Sequence, residues 1–230
     1  TPSLAAIDRE AYIYGGAGAA VAWQLANPGV GRGVARHSRT LEEPLDRLRA
    51  TMIYIYAVAL GTDEDRRAIK RMVDRAHAPV RGPGYSAFDP DLQLWVAATL
   101  YRGALDMHAL FVGPAPSDAA ESLYRQAWAF GRWQERRAGL SVDPEVRDYF
   151  QAVLRGGRTP WFLRGALPLQ RFVTRGLLPP DLRKAFGLDW NVRDERRWQR
   201  FRRWAPRLYW WLPAWLRHLA EQRLLADFRR

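Results

Sequence analysis

Apolar positions recur at three- and four-residue intervals along most of this chain, and no stretch alternates long enough to build a sheet, so the pattern predicts an all-α protein without internal repeats. Leu4 to about Ala26 reads as one small-residue-rich helix closed by Asn27-Pro28-Gly29, with Gly15, Gly16 and Gly18 as points of close helix packing. Those glycines do not form a phosphate-binding fingerprint, because no strand precedes them and their spacing is wrong. A short element follows from Val30 to Arg39. Pro44 then opens a helix running to about Gly61, whose residues 51–60 are apolar on nearly every face, the mark of a central helix. Asp63-Glu64-Asp65 place acids on the first turn of the next helix, where the dipole favours them, and Pro79 ends it. After an Arg81–Phe88 loop, Asp89-Pro90 is a cap with proline at the first helical position, starting a long helix that ends at Gly113. Further helices are expected from Ser117 to about Arg137 and from Asp143-Pro144 to Gly156-Gly157.

Beyond Pro160 the texture changes. Seven of the eleven tryptophans lie there (Trp161, Trp190, Trp198, Trp204, Trp210, Trp211 and Trp215), interleaved with arginines such as Arg197, Arg200, Arg202, Arg203 and Arg207. Of the formal charge of +12, residues 160–230 carry +10. We therefore read residues 1–159 as a helical core and 160–230 as a basic amphipathic helical extension packed on it, within one continuous domain. Tryptophan favours the membrane–water interface and arginine favours anionic headgroups, so such helices can lie flat on a bilayer. Equally, the tryptophans can pack on the core while arginine stems run beside them. Nucleic acid is the lesser candidate, because no helix-turn-helix, zinc finger or single-strand-binding barrel accompanies the charge. No uncharged apolar run reaches the length of a membrane span, and no signal peptide is evident, which points to a cytoplasmic protein, peripheral on the inner face of the membrane if it meets one.

The chain has no cysteine, which excludes disulfides, thiolate metal sites, a cysteine nucleophile and covalently attached haem. The chemistry-bearing residues that remain converge on one stretch. His77 lies four and eight residues after Val73 and Ile69 and so shares their inward face, in the last turn of its helix. A buried imidazole needs a partner: a carbonyl or carboxylate if it is a core residue, a metal if it is a ligand. Arg47 and Thr51 are one turn apart on the central helix. A guanidinium with a hydroxyl one turn deeper suits an anionic, partly buried ligand, although Asp46 or Glu43 are available as ordinary ion-pair partners. His37 reads as a capping or exposed residue and His108 as a satisfied core histidine.

Set in order, Val34-Ala35-Arg36-His37-Ser38, Arg47-Leu48-x-x-Thr51, His77-Ala78-x-Val80-Arg81-Gly82, Tyr85-Ser86-Ala87-x-Asp89-Pro90, Leu94-Trp95-Val96-x-Ala98-Thr99-Leu100 and Gly176-Leu177-Leu178-Pro179-Pro180, with Phe186-Gly187-Leu188-x-Trp190, span almost the whole chain. The set resembles the family of MpaB-type oxygenases and latex-clearing rubber oxygenases. That resemblance implies a globin-like helical core holding one non-covalent haem b, and use of dioxygen to cleave carbon–carbon double bonds in a lipophilic, isoprenoid or lipid-like substrate. By position it makes His77 the proximal iron ligand, Arg47 and Thr51 the groups near the haem that serve catalysis, and Arg81 a further cofactor-binding residue. One departure stands out: many relatives carry histidine where this chain has Ala97, with His108 three turns along the same helix as a substitute. The alternatives are a haem-binding sensor, carrier or redox partner without turnover, and a haem-free helical protein that binds membrane or nucleic acid.

Overall fold

The computed structural model describes residues 4–114 and 141–230, and within them the chain is all-α except for one two-residue hairpin. The helix expected from Ser117 to Arg137 lies outside the described residues. Helices α1 (Leu4–Asp8), α2 (Ala17–Leu25), α3 (Pro28–His37), α4 (Pro44–Ala59), α5 (Asp63–His77) and α6 (Pro90–Phe111) precede Pro144–Arg155 and a C-terminal series: Leu167–Leu177, Pro180–Ala185, Val192–Trp210, Ala214–Arg217 and Leu219–Phe228.

The starts of α4, α5 and α6 follow local rules. Pro44 and Pro90 occupy first-turn positions. Asp89 accepts from the backbone N–H groups of Asp91 (2.8 Å) and Leu92 (3.3 Å), and Thr62 and Asp65 form a reciprocal capping box at the start of α5. Three expectations change. The first stretch is not one helix but α1, a 3-10 turn over Ala11–Gly16, and α2, because Glu10 adopts an extended conformation to reach Tyr209, Arg217 and His218. Asn27 begins a helix rather than closing one: its side chain accepts from the Gly29 and Val30 N–H groups with Pro28 at the first position. The Arg81–Phe88 loop contains an antiparallel pair, Arg81 opposite Ser86 and Gly82 opposite Tyr85, turned by Gly84 at φ +77°. Two residues per strand are too few to show alternation in sequence.

One cluster of buried side chains joins α2 and α6 to Pro144–Arg155 and Pro180–Ala185 through Trp23, Trp95, Phe150, Leu182 and the neighbouring Phe186. Another joins α1, α4, α6 and the last helix through Ile7, Met52, Tyr56, Met107 and Leu225, and a third packs α4 on α5 through Ile53, Ala57 and Ile69. Helix α4 takes part in the second and third clusters but not the first, and Val58 in its apolar run stays exposed, so α4 is less enclosed than the sequence predicts. The early glycines do set helix approach: a Cβ on Gly18 would lie 2.1 Å from Thr174 Oγ1, and one on Gly16 would lie 2.8 Å from Met107 Cγ. The same logic ties the basic segment to the rest, since a Cβ on Gly176 would strike the Trp198 ring at 2.5 Å. Two carboxylates fasten the chain's end. Glu10 accepts from Tyr209 (2.6 Å) and Arg217 (2.7 Å), and Asp65 accepts a forked pair from Arg229.

Candidate functional site

Helix α4 places Arg47 and Thr51 one turn apart, and they bond to each other. Arg47 Nη1 donates to Thr51 Oγ1 at 2.7 Å, while the Thr51 hydroxyl donates to the Arg47 carbonyl at 2.9 Å. The hydroxyl proton is thus committed to the backbone and its lone pair holds the guanidinium. Neither Asp46 nor Glu43 pairs with Arg47 among the described residues; Glu43 is engaged by Arg39 instead. Solvent reaches the Arg47 side chain, yet burial by surrounding protein lowers its pKa from the usual value.

His77, half-buried at the end of α5, feels that cation. Its pKa lies below the ordinary value first because of burial and then because of Arg47, with Asp74 opposing. Asp74 is itself tied to Lys70 at 2.5 Å rather than to the imidazole. Phe88 meets the ring edge-on, with centroids 6.5 Å apart. His77 Nδ1 is completely buried and has no hydrogen-bond partner among the described residues. A structural core histidine normally has one, so the carbonyl or carboxylate partner that would explain this imidazole as packing is not found.

A participant that sequence reasoning missed is Tyr149, on the Pro144–Arg155 helix. It lies close enough to Arg47 to interact electrostatically, and its buried hydroxyl also lacks a partner among the described residues. Three polar groups from α4, α5 and a helix far along the chain thus gather with unspent hydrogen-bonding or ligating capacity. Arg81 behaves differently: its guanidinium is exposed on the hairpin, and no hydrogen bond or ion pair joins it to the other three among the described residues.

The other histidines are accounted for. His108 is buried, with Nδ1 3.3 Å from the Tyr12 hydroxyl, as a satisfied core residue should be. His37 is exposed with Nε2 3.2 Å from the Tyr85 hydroxyl, and does not cap its helix. Ala97 is exposed in the middle of α6, while its neighbour Trp95 is buried and donates from Nε1 to the Trp23 carbonyl at 3.1 Å. No group of three or more metal-ligating His, Cys, Asp or Glu side chains occurs among the described residues, so a metal held by this chain's side chains alone is not indicated. A single imidazole serving a macrocycle-bound iron needs no such cluster. The donor set suits an iron held in that way: among the described residues His77 Nδ1 has no hydrogen-bond partner and Arg47 has no acid paired with it.

Two curated relatives, an uncharacterised protein of Mycobacterium bovis and an uncharacterised protein of Mycobacterium tuberculosis, are each 35% identical to this chain over 208 residues, covering 78% of it and 82% of their own length. No solved structure matches. Residues 5–207 match the family described as "ER-bound oxygenase mpaB/B'/Rubber oxygenase, catalytic domain". That match takes in the histidine, arginine and threonine motifs together, and the chain belongs to this family of oxygenase catalytic domains.

Proposed function

We propose that this chain is a haem b-dependent oxygenase that uses dioxygen on a lipophilic, alkene-containing substrate of isoprenoid or lipid type, with His77 as the proximal iron ligand. The observation that carries the reading is the buried Nδ1 of His77, which has no hydrogen-bond partner among the described residues, near an arginine that none of their carboxylates pairs with. Burial and the Arg47 charge keep the imidazole neutral, which leaves a ring lone pair for a metal. Arg47 has donors left after its bond to Thr51 and suits a propionate, whose carboxylate would meet a guanidinium that no acid of the described residues pairs with. Thr51 fixes the direction of that fork. Arg81, exposed four residues beyond His77, is the second cation assigned to the cofactor. Tyr149 brings a buried hydroxyl near Arg47. Phe88 meets the His77 ring edge-on and covers part of the imidazole. When bound, the haem supplies the oxygen chemistry, and the protein's part is to hold, orient and desolvate.

The test is an absorption spectrum of freshly purified protein, followed by turnover. A Soret band is expected, lost in His77→Ala, together with carbonyl products when oxygen and polyprenyl or unsaturated lipids are supplied against a boiled control. A colourless protein that gains no Soret band on haem addition would falsify the proposal. A Soret band without products would favour haem binding without turnover, the reading for which Ala97 in place of a histidine is the observation.

A further inference from the structure

The basic extension raises two readings of its tryptophans, packing or display, and the structure separates them residue by residue. Trp198 is buried against Phe172 and Phe201, and Trp190 is half-buried beneath Arg183, whose guanidinium carbon sits 4.7 Å from the ring centroid. Those two are packing residues. Trp204, Trp211 and Trp215 are not: they are 55%, 88% and 64% exposed, beside Leu208 at 66%.

Within the Val192–Trp210 helix and the helical residue after it, Arg193, Arg197, Arg200, Trp204, Leu208 and Trp211 follow one another at three- or four-residue steps. They therefore share one face, and every one of them is exposed. Its first half is arginine and its second half apolar, with Arg196, Arg203 and Arg207 flanking it. Arg207 stands 5.0 Å over the Trp204 ring. The helix carries seven arginines against Asp194 and Glu195, and among the described residues none of those on or beside this face is paired with an acid. Leu212 and Leu216 extend the apolar end.

We propose that this face docks on an anionic phospholipid bilayer, the tryptophans and leucines entering the headgroup boundary and the arginines meeting lipid phosphates. The charge selects an anionic partner and disfavours a second copy of the same cationic face. The leucines select hydrocarbon over bases, because an aliphatic side chain offers a nucleobase no ring to stack on. No described helix is long and apolar enough to cross a membrane, so the contact is interfacial. The proposal does not depend on haem.

The experiment uses the whole chain with vesicles of phosphatidylcholine alone or mixed with phosphatidylglycerol, read by co-sedimentation and by quenching of tryptophan emission with brominated acyl chains. Binding to the anionic vesicles with quenching is expected. Arg197→Glu with Arg200→Glu should weaken it by more than tenfold, each arginine counting for roughly fivefold near such a surface. Trp211→Ser with Trp215→Ser should remove most of the quenching. All four positions are exposed, and unchanged thermal unfolding of both variants confirms an intact fold. The proposal is overturned if neutral vesicles bind equally well, if the tryptophan pair leaves binding and quenching unchanged, or if an oligonucleotide binds more tightly than the vesicles and is released by salt.

Discussion

The Arg47 guanidinium opposes protonation of the His77 imidazole across the gap between α4 and α5, adding to the effect of burial. The folded-state pKa therefore lies below the ordinary 6.5, and His77 stays neutral further into acid than a free histidine would. A ligand held by the neutral ring leaves when that ring protonates. Soret absorbance followed from pH 8 downward should then persist below pH 6.5 in the wild type. In Arg47→Met the loss should begin at higher pH, because the repelling charge is gone. Arg47→Lys keeps the charge without the fork, so comparing its midpoint with that of the Met variant isolates the electrostatic part. Equal midpoints for Lys and Met would show that the charge plays no part.

Thr51 acts through Arg47. Its proton is spent on the Arg47 carbonyl and its oxygen accepts from Nη1, so its effect is to hold a guanidinium in one direction. Thr51→Val deletes both bonds at nearly constant volume and leaves the guanidinium mobile; Thr51→Ser retains them. Haem affinity should fall about five- to tenfold in the valine variant, the worth of about one ordinary solvent-exposed hydrogen bond. The serine variant should restore it. Titration of apoprotein with haem measures both, and a serine variant as weak as valine would assign the effect to packing of the threonine methyl.

Gly18 is where α2 meets the Leu167–Leu177 helix. An alanine there gains about 1 kcal/mol of helix propensity, but its Cβ would stand 2.1 Å from Thr174 Oγ1 and 3.2 Å from Thr174 Cβ. Overpacking costs about 1–3 kcal/mol, so Gly18→Ala should lower stability. Thr174 Oγ1 is buried without a hydrogen-bond partner among the described residues, so removing it forfeits little. The Gly18→Ala, Thr174→Ala double variant should return to wild-type stability or exceed it, giving a coupling of about 1–2 kcal/mol in denaturant melts. Additive losses would mean that the contact is not what keeps a glycine here.

These cases mark what could be read from sequence. The end of α5 was legible because Ile69, Val73, His77 and Pro79 are a local pattern of spacing and punctuation, and α4 because its apolar run leaves no polar face. The break after α1 was not legible, because Glu10 is drawn out by Tyr209, Arg217 and His218, some two hundred residues along the chain. Tyr149 escaped for the same reason: beside Val146 and Phe150 it looks like one more core position, and only the folded chain brings it to Arg47. Asn27-Pro28-Gly29 carries the signals of both a helix end and a helix start, and the bonds from Gly29 and Val30 decide between them.

Asp8 holds a buried carboxyl, 5% exposed, with no hydrogen bond or ion pair among the described residues, and burial pushes its pKa from 3.8 up to about 7. The folded chain thus keeps a proton that the unfolded chain releases between about pH 4 and pH 7. Where the folded state binds more protons, stability falls as pH rises. The penalty is absent near pH 4, grows through that window and is fully present above pH 7. Asp8→Asn replaces the acid with a neutral side chain of the same shape and should remove it. At pH 8 the variant should be more stable than wild type by up to about 4 kcal/mol, following the size of the shift. The gap should close as pH approaches 4. Paired thermal melts at pH 8 and pH 4 measure this, and an asparagine variant less stable than wild type at pH 8 would mean that the carboxylate is stabilised where it lies.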